Sequence, residues 1–283
     1  MKIIKNIPVG GDHKLPILTD LFFLENSQPK PVVIFCHGYK GFKDWGPWNL
    51  IAAHFARQGF FFLKFNFSHN GLTSENLLDF TDLEAFGNNN FIKELDDLQS
   101  VINWISSSHT FKNEADIRHI SLIGHSRGGG IAVLKASEES RIKKVISWAG
   151  VSDFGVRFPS GEILSDWQNK GIVYITNTRT NQQLPHNFQF YTTFMENAER
   201  LSIKKAVERL EIPYLIVQGE KDDNVILKEA LNLHSWNKKS ELFTVPDAGH
   251  TFNCSHPYEF DYFISELEPV IKASLSFLNK PEG

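Results

Sequence analysis

The chain has 283 residues, of which 41% are hydrophobic and 22% charged, a balance that excludes disordered, collagen-like and fibrous classes and describes a globular protein. At this length about three-quarters of the unfolded surface can be buried, so no disulfide or structural metal is needed to supplement the core. The 33 acidic and 29 basic residues give a net charge of −4, and no stretch concentrates Lys and Arg on one face, which argues against nucleic acid as a partner.

In chain order, the N-terminal stretch Met1-Lys2-Ile3-Ile4-Lys5-Asn6 lacks the apolar core and small-residue end of a signal sequence. The segment 15–25 is expected to add a leading antiparallel hairpin. From residue 31 onward, short apolar runs alternate with helical periods, the pattern of a mostly parallel sheet covered by helices on both sides. Strands are expected over 32–36, 60–67, 120–124, 145–149, 214–218 and 242–245. The second of these, with Phe60, Phe61, Phe62 and Phe65, takes up several of the 24 phenylalanines, most of which belong in the core. Between strands, Phe91, Leu95, Leu98, Val101, Ile102 and Ile105 recur at three- and four-residue steps with acidic residues opposite, which predicts an amphipathic helix. Further helices are expected over 48–57, 129–138, 228–236 and 259–278, the last bent at Pro269. No segment reaches 18 uninterrupted apolar residues, and the only cysteines, Cys36 and Cys254, form no metal or redox motif. A cytoplasmic protein in a reducing compartment is expected, without membrane span or cofactor.

One interval breaks the rhythm. The stretch 150–212 lies between two good strands and is far longer than an ordinary crossover. It reads as an insertion holding a hairpin near 172–183, followed by the aromatic group Phe188, Phe190, Tyr191 and Phe194, most of which are expected to pack the insertion against itself.

The most informative residues are Gly124-His125-Ser126-Arg127-Gly128, directly after an apolar strand and directly before a helical period. A serine at so sharp a strand-to-helix turn is forced toward a strained backbone, and glycines two residues to either side let neighbouring backbone come close. The following helix points its free amides at the site, favouring negative charge that develops in acyl transfer.

A serine hydroxyl needs a base, normally a histidine held in one tautomer by a carboxylate. Candidates follow in the order expected for such an elbow. Asp222 and Asp223 come after the strand at 214–218, and His250 after that at 242–245, both at the sheet edge where ligands of open α/β folds collect. His250 is the expected base. Asp222 is the preferred acid, with Asp223 as its neighbouring alternative, expected otherwise to cap the next helix, and Asp153 as a third possibility after the earlier strand. His37 and His125 are expected to brace loops, whereas His186, His234 and His256 read as surface residues. The oxyanion hole is expected to use the backbone amides of Arg127 and of Tyr39 in the loop His37-Gly38-Tyr39-Lys40-Gly41. The acidic run Asp79, Asp82 and Glu84 reads as a solvated loop, and no metal-ligand cluster is visible.

Together these residues resemble the α/β-hydrolase superfamily, from about Pro31 to the last helix, and within it the small bacterial esterases of the cinnamoyl or feruloyl esterase type. The resemblance implies an α/β-hydrolase fold, a single domain over 1–283 with a small cap at about 150–212. It also implies a triad of Ser126, Asp222 and His250 with Tyr39 and Arg127 as oxyanion hole, and a small-molecule ester as substrate. One departure is the turn Asn66-Phe67-Ser68-His69-Asn70-Gly71, where many relatives carry Asp-x-Arg-Gly.

Overall fold

The computed structural model describes residues 1–281. Its chain begins with β1 (Lys2–Val9), β2 (Ile17–Phe23) and β3 (Lys30–Cys36), then α1 (Trp48–Arg57), β4 (Phe61–Phe65), α2 (Leu83–Gly87), α3 (Phe91–Ser107), β5 (Ala115–His125), α4 (Arg127–Glu138) and β6 (Ile142–Trp148). There follow α5 (Gly161–Lys170), β7 (Ile172–Asn177), β8 (Gln182–Asn187), α6 (Gln189–Glu196) and α7 (Ile203–Arg209), then β9 (Tyr214–Gly219), α8 (Leu227–Trp236), β10 (Glu241–Val245) and α9 (Glu268–Leu278).

Eight strands form one sheet in the order β1-β2-β4-β3-β5-β6-β9-β10. The first two pairings, β1 with β2 and β2 with β4, are antiparallel, and the remaining five are parallel. Both faces are covered, so the central strands are apolar on both sides rather than alternating. Along β3, Val32, Ile34 and Cys36 join the core beneath α3, α4, α7 and α8, while Val33 and Phe35 join the core beneath α1 and α9. The helix α3 starts where the Asn90 side chain accepts a hydrogen bond from the Lys93 amide, the usual way to satisfy an open helix end. The apolar stripe of α3 is buried as its period dictates.

Three expectations need correction. The leading hairpin is made by β1 and β2, so 15–25 supplies only its second strand. β1 escaped notice because its outer face is exposed and its alternation is broken by a bulge between Ile4 and Ile7. There Asn6 adopts a φ of 57° and donates its amide to Asp20 at 2.8 Å. The last helix does not run from 259 with a bend: it begins at Glu268, with Pro269 in its first turn, where the missing amide costs nothing. The interval 150–212 holds three helices as well as the expected hairpin, which is β7 paired antiparallel with β8.

Beneath the β3–α1 connection lies a buried square of charge. Lys43 and Lys64 each contact Asp20, at 2.9 and 2.8 Å, and each contacts Asp44, at 2.5 and 2.8 Å. Burial pushes the Asp44 carboxyl up, but the two ammonium groups outweigh it and hold the carboxyl below its ordinary range. Asp20, Lys43 and Lys64 are almost wholly excluded from water. Such a set gains little over an apolar core when complete, yet removing one member strands the others. Asp20→Ala is therefore expected to lower the unfolding free energy by about 3–5 kcal/mol, measured by urea titration. A loss under about 1 kcal/mol, the level of exposed pairs, would contradict the buried network.

Candidate active site

The strand β5 and helix α4 meet at Ser126, which has φ 56° and ψ −121°, a conformation that L-residues hold only when their surroundings impose it. Those surroundings are backbone. The Ser126 amide donates to Trp148 O at 2.9 Å, and the Ser126 carbonyl accepts from Gly129 at 3.0 Å and Val151 at 3.3 Å. The flanking glycines are required by proximity: a Cβ on Gly124 would lie 2.1 Å from Gly128 O, and one on Gly128 would lie 2.4 Å from the carbonyl oxygens of Cys36 and His37.

Ser126 Oγ lies 2.9 Å from His250 Nε2, and His250 Nδ1 lies 2.8 Å from Asp222 Oδ2. The carboxylate only accepts, so Nδ1 carries the proton and Nε2 is free to accept from the serine hydroxyl. Asp222 is well satisfied: its Oδ1 accepts from the amides of Asn224 and Val225, both at 2.8 Å, and its Oδ2 also accepts from Gln218 Nε2 at 3.1 Å. Burial pushes its carboxyl up, but His250 and the two amides prevail and hold it below the ordinary carboxylate range. The neighbouring Asp223 is exposed. Asp153 is also exposed, and its Oδ1 accepts from the Gly155 amide.

His125 and His37 both serve the backbone. His125 Nε2 donates to His250 O at 2.9 Å, fixing the loop that carries the imidazole. His37 Nδ1 donates to Gly38 O, and its Nε2 accepts from the Phe67 amide. Burial lowers both rings, to about 3 for His125 and about 4 for His37, so both are neutral near pH 7.

The loop after β3 packs against the serine, since a Cβ on Gly38 would lie 2.9 Å from Ser126 Cβ. Neither the Tyr39 nor the Arg127 amide donates a hydrogen bond to protein among the described residues. This loop is anchored at its far end, where the Lys43 amide donates to Asn66 Oδ1 at 2.7 Å. The departing turn that begins at Asn66 thus holds the loop through a side chain. The Ser68 amide in turn donates to Asp97 at 2.7 Å.

The surface reading of three histidines requires correction. His186 is buried, and its Nε2 lies 2.6 Å from the Tyr39 hydroxyl. His256 is half-buried: its Nδ1 accepts from the Gly46 amide at 2.9 Å, and its ring stacks on Trp45. His234 is half-buried beside Ser240 Oγ at 2.9 Å. The signal for His186 was its place in β8, two residues after the fully buried Leu184 and so on the same face. Arg127, beyond its amide, lays its guanidinium 4.2 Å from the Tyr39 ring centroid, with Glu94 Oε1 at 3.4 Å from its Nη1. The acidic run is not simply solvated either, because Asp82 caps α2 by accepting from the Ala85 amide.

Two cavities open beside Ser126 and His250. The larger, about 760 Å³, is walled by Phe91, Phe154, Phe158, Trp167 and Phe190. Of the aromatic group at 188–194, only Phe190 reaches it. Phe188 and Tyr191 pack with Trp167, and Phe194 with Phe158. The smaller, about 130 Å³, lies under Trp45 and Trp48.

Residues 31–174 match the family described as alpha/beta hydrolase fold. The chain belongs to this family. The match takes in Tyr39 and Ser126 and ends within β7, ahead of Asp222 and His250. Among curated proteins, this hydrolase is 28% identical over 112 residues to the uncharacterized peptidase YtmA of Bacillus subtilis (strain 168), covering 39% of the chain and 38% of that relative's length. Among solved structures it resembles Est1E from Butyrivibrio proteoclasticus, in a structure with ferulic acid bound, with a TM-score of 0.70, 17% identity, and 96% and 97% of the two chains covered. It also resembles a puromycin-hydrolyzing peptidase of Mycobacterium tuberculosis, with a TM-score of 0.65, 16% identity, and coverage of 100% of this chain and 39% of the other.

Burial of His186 leads to an expected dependence of the chain's stability on acid. Burial, then the charges of Arg127 and Lys40, lower the ring from 6.5 to about 3. The folded chain therefore keeps it neutral while the unfolded chain takes up a proton below pH 6.5, so this contribution to stability is lost as pH falls from 6.5 toward 3. Relative to His186→Gln, the wild type is expected to lose roughly 2 kcal/mol of unfolding free energy between about pH 7 and pH 5. A constant difference across that range would mean that the folded ring protonates freely.

Proposed function

We propose that the protein is a cofactor-independent serine hydrolase that cleaves carboxylic esters of small molecules through an acyl-enzyme. The observation that carries this reading is the unbroken hydrogen-bonded chain from Ser126 through His250 to Asp222. Ser126 Oγ attacks the ester carbonyl as His250 Nε2 takes its proton. Asp222, kept ionised, holds the imidazole in the required tautomer and offsets the charge that forms on it. The amides of Tyr39 and Arg127, uncommitted among the described residues, are the donors for the oxyanion. His250 then returns its proton to the departing alcohol, and water repeats the sequence on the acyl group to free the acid and Ser126.

The larger cavity is of the size that small-molecule sites commonly have. The segment 150–212, which supplies several of its walls, is read as the cap of a single hydrolase domain. Buried, unpaired Cys36 and Cys254 accord with a reducing, cytoplasmic setting. The neighbouring Est1E structure with ferulic acid bound agrees with this reading. A second reading, amide or peptide hydrolysis with the same residues, is favoured by the relatives named as peptidases.

Ser126→Ala is expected to lower turnover of a p-nitrophenyl ester by on the order of 10⁴-fold and to abolish labelling by a fluorophosphonate. Asp222→Asn is expected to cost on the order of 10³-fold or more, whereas Asp223→Asn leaves the rate close to wild type. Equal losses for the two aspartate variants would overturn the assignment of the acid. Matched ester and amide substrates, with and without a competing alcohol, decide between hydrolysis of esters, hydrolysis of amides and acyl transfer. An intact serine that a fluorophosphonate does not label would mark a binding protein instead.

A further inference from the structure

The two cavities beside Ser126 have an electrostatic bias that hydrolysis of a neutral ester does not require. Lys40, Arg127 and Arg157 line the larger one, Lys40 also lines the smaller, and no carboxylate lines either among the described residues. This occurs in a chain whose net charge is −4. Two of the cations have partners set back from the cavity, Arg127 with Glu94 at 3.4 Å and Arg157 with Glu229 at 2.6 Å. Lys40 has none. Its ammonium makes no ion pair among the described residues and lies 5.4 Å from the centroid of the Tyr39 ring, which also carries the Arg127 guanidinium.

The Lys40 backbone lies at φ 55°, a left-handed conformation that glycine adopts with less strain. The turn itself therefore gains nothing from lysine, and what the residue adds is a cation at the junction of both cavities. Burial and then the charge of Arg127 lower the ammonium's pKa. A bound anion would offset the repulsion from Arg127 and give the ammonium a partner. Apolar walls nearby weaken screening and strengthen the attraction.

We propose that Lys40 is a specificity residue that selects esters bearing a carboxylate on the group beside the scissile carbonyl, such as monoesters of dicarboxylic acids. The proposal rests on the serine-hydrolase reading for its reaction, but not for its binding.

The test compares two activated esters of matched shape, the p-nitrophenyl monoester of glutaric acid and neutral p-nitrophenyl 5-methylhexanoate. The ratio of kcat/KM for the anionic over the neutral ester is expected to fall about 10-fold in Lys40→Met, to be largely kept in Lys40→Arg, and to decline with added salt. A Lys40→Met variant that slows both esters in proportion would reduce Lys40 to a structural part of the loop and overturn the proposal. Binding is measured separately on Ser126→Ala, with and without Lys40→Met, by calorimetry with the monoanilide of glutaric acid. The same 10-fold weakening is expected, and equal affinities would overturn the proposal. Should the wild type hydrolyse neither ester, the esterase reading falls and the calorimetric comparison alone decides the role of Lys40.

Discussion

The whole site depends on a backbone that turns from strand to helix in one residue. Ser126 holds a conformation costing on the order of 1–3 kcal/mol, and it does so because three strand ends close around it. Its amide is tied to Trp148 at the end of β6, its carbonyl to α4 and the start of the following segment, and the glycine after it lies against the carbonyls of Cys36 and His37 at the end of β3. Relaxing the serine would mean separating the middle of the sheet. Ser126 is thus placed by the most buried part of the molecule, while Asp222 and His250 arrive on loops from β9 and β10.

Loops need their own restraints, and here polar side chains supply them, most of them buried. The loop carrying Tyr39 is fixed at its start by His37, which bridges Gly38 and Phe67, and at its end by Lys43, whose ammonium enters the buried charge square and whose amide is held by Asn66. The loop carrying His250 is held by His125 through the His250 carbonyl, and by Asn253, which accepts from the Gly249 amide and donates to Asp247 O. Complete burial of such groups adds little net stability; what they provide here is a fixed position for an amide and an imidazole, as preorganised electrostatic catalysis demands.

The parallel sheet was legible because its strands are apolar runs spaced by amphipathic helices, and the strand-serine-helix context gave the elbow together with the residues meeting at it. The missed parts share a cause. β1 hides its period behind a bulge. The helices of 150–212 are short and pack on residues distant in sequence, as Phe190 of α6 does on Phe91 at 4.8 Å between centroids, which no local pattern records. His186 lies in that same stretch, and its burial depends on Tyr39, 147 positions away in sequence.

The same fold is shared by Est1E with ferulic acid bound and by a puromycin-hydrolyzing peptidase, so the fold alone does not select a substrate. A serine, an imidazole and two amides treat ester and amide carbonyls alike up to the tetrahedral intermediate. For the proposed reaction, selection among substrates must therefore come from the walls around the carbonyl, which several elements of this chain supply. α3 gives Phe91 and the oxyanion loop gives Tyr39 and Lys40, both inside the family match, whereas Phe190 and His186 lie beyond its end at residue 174. Through His186 the segment 150–212 also touches Tyr39, at 2.6 Å, so a change in that segment that alters the cavity acts on the loop after β3 as well.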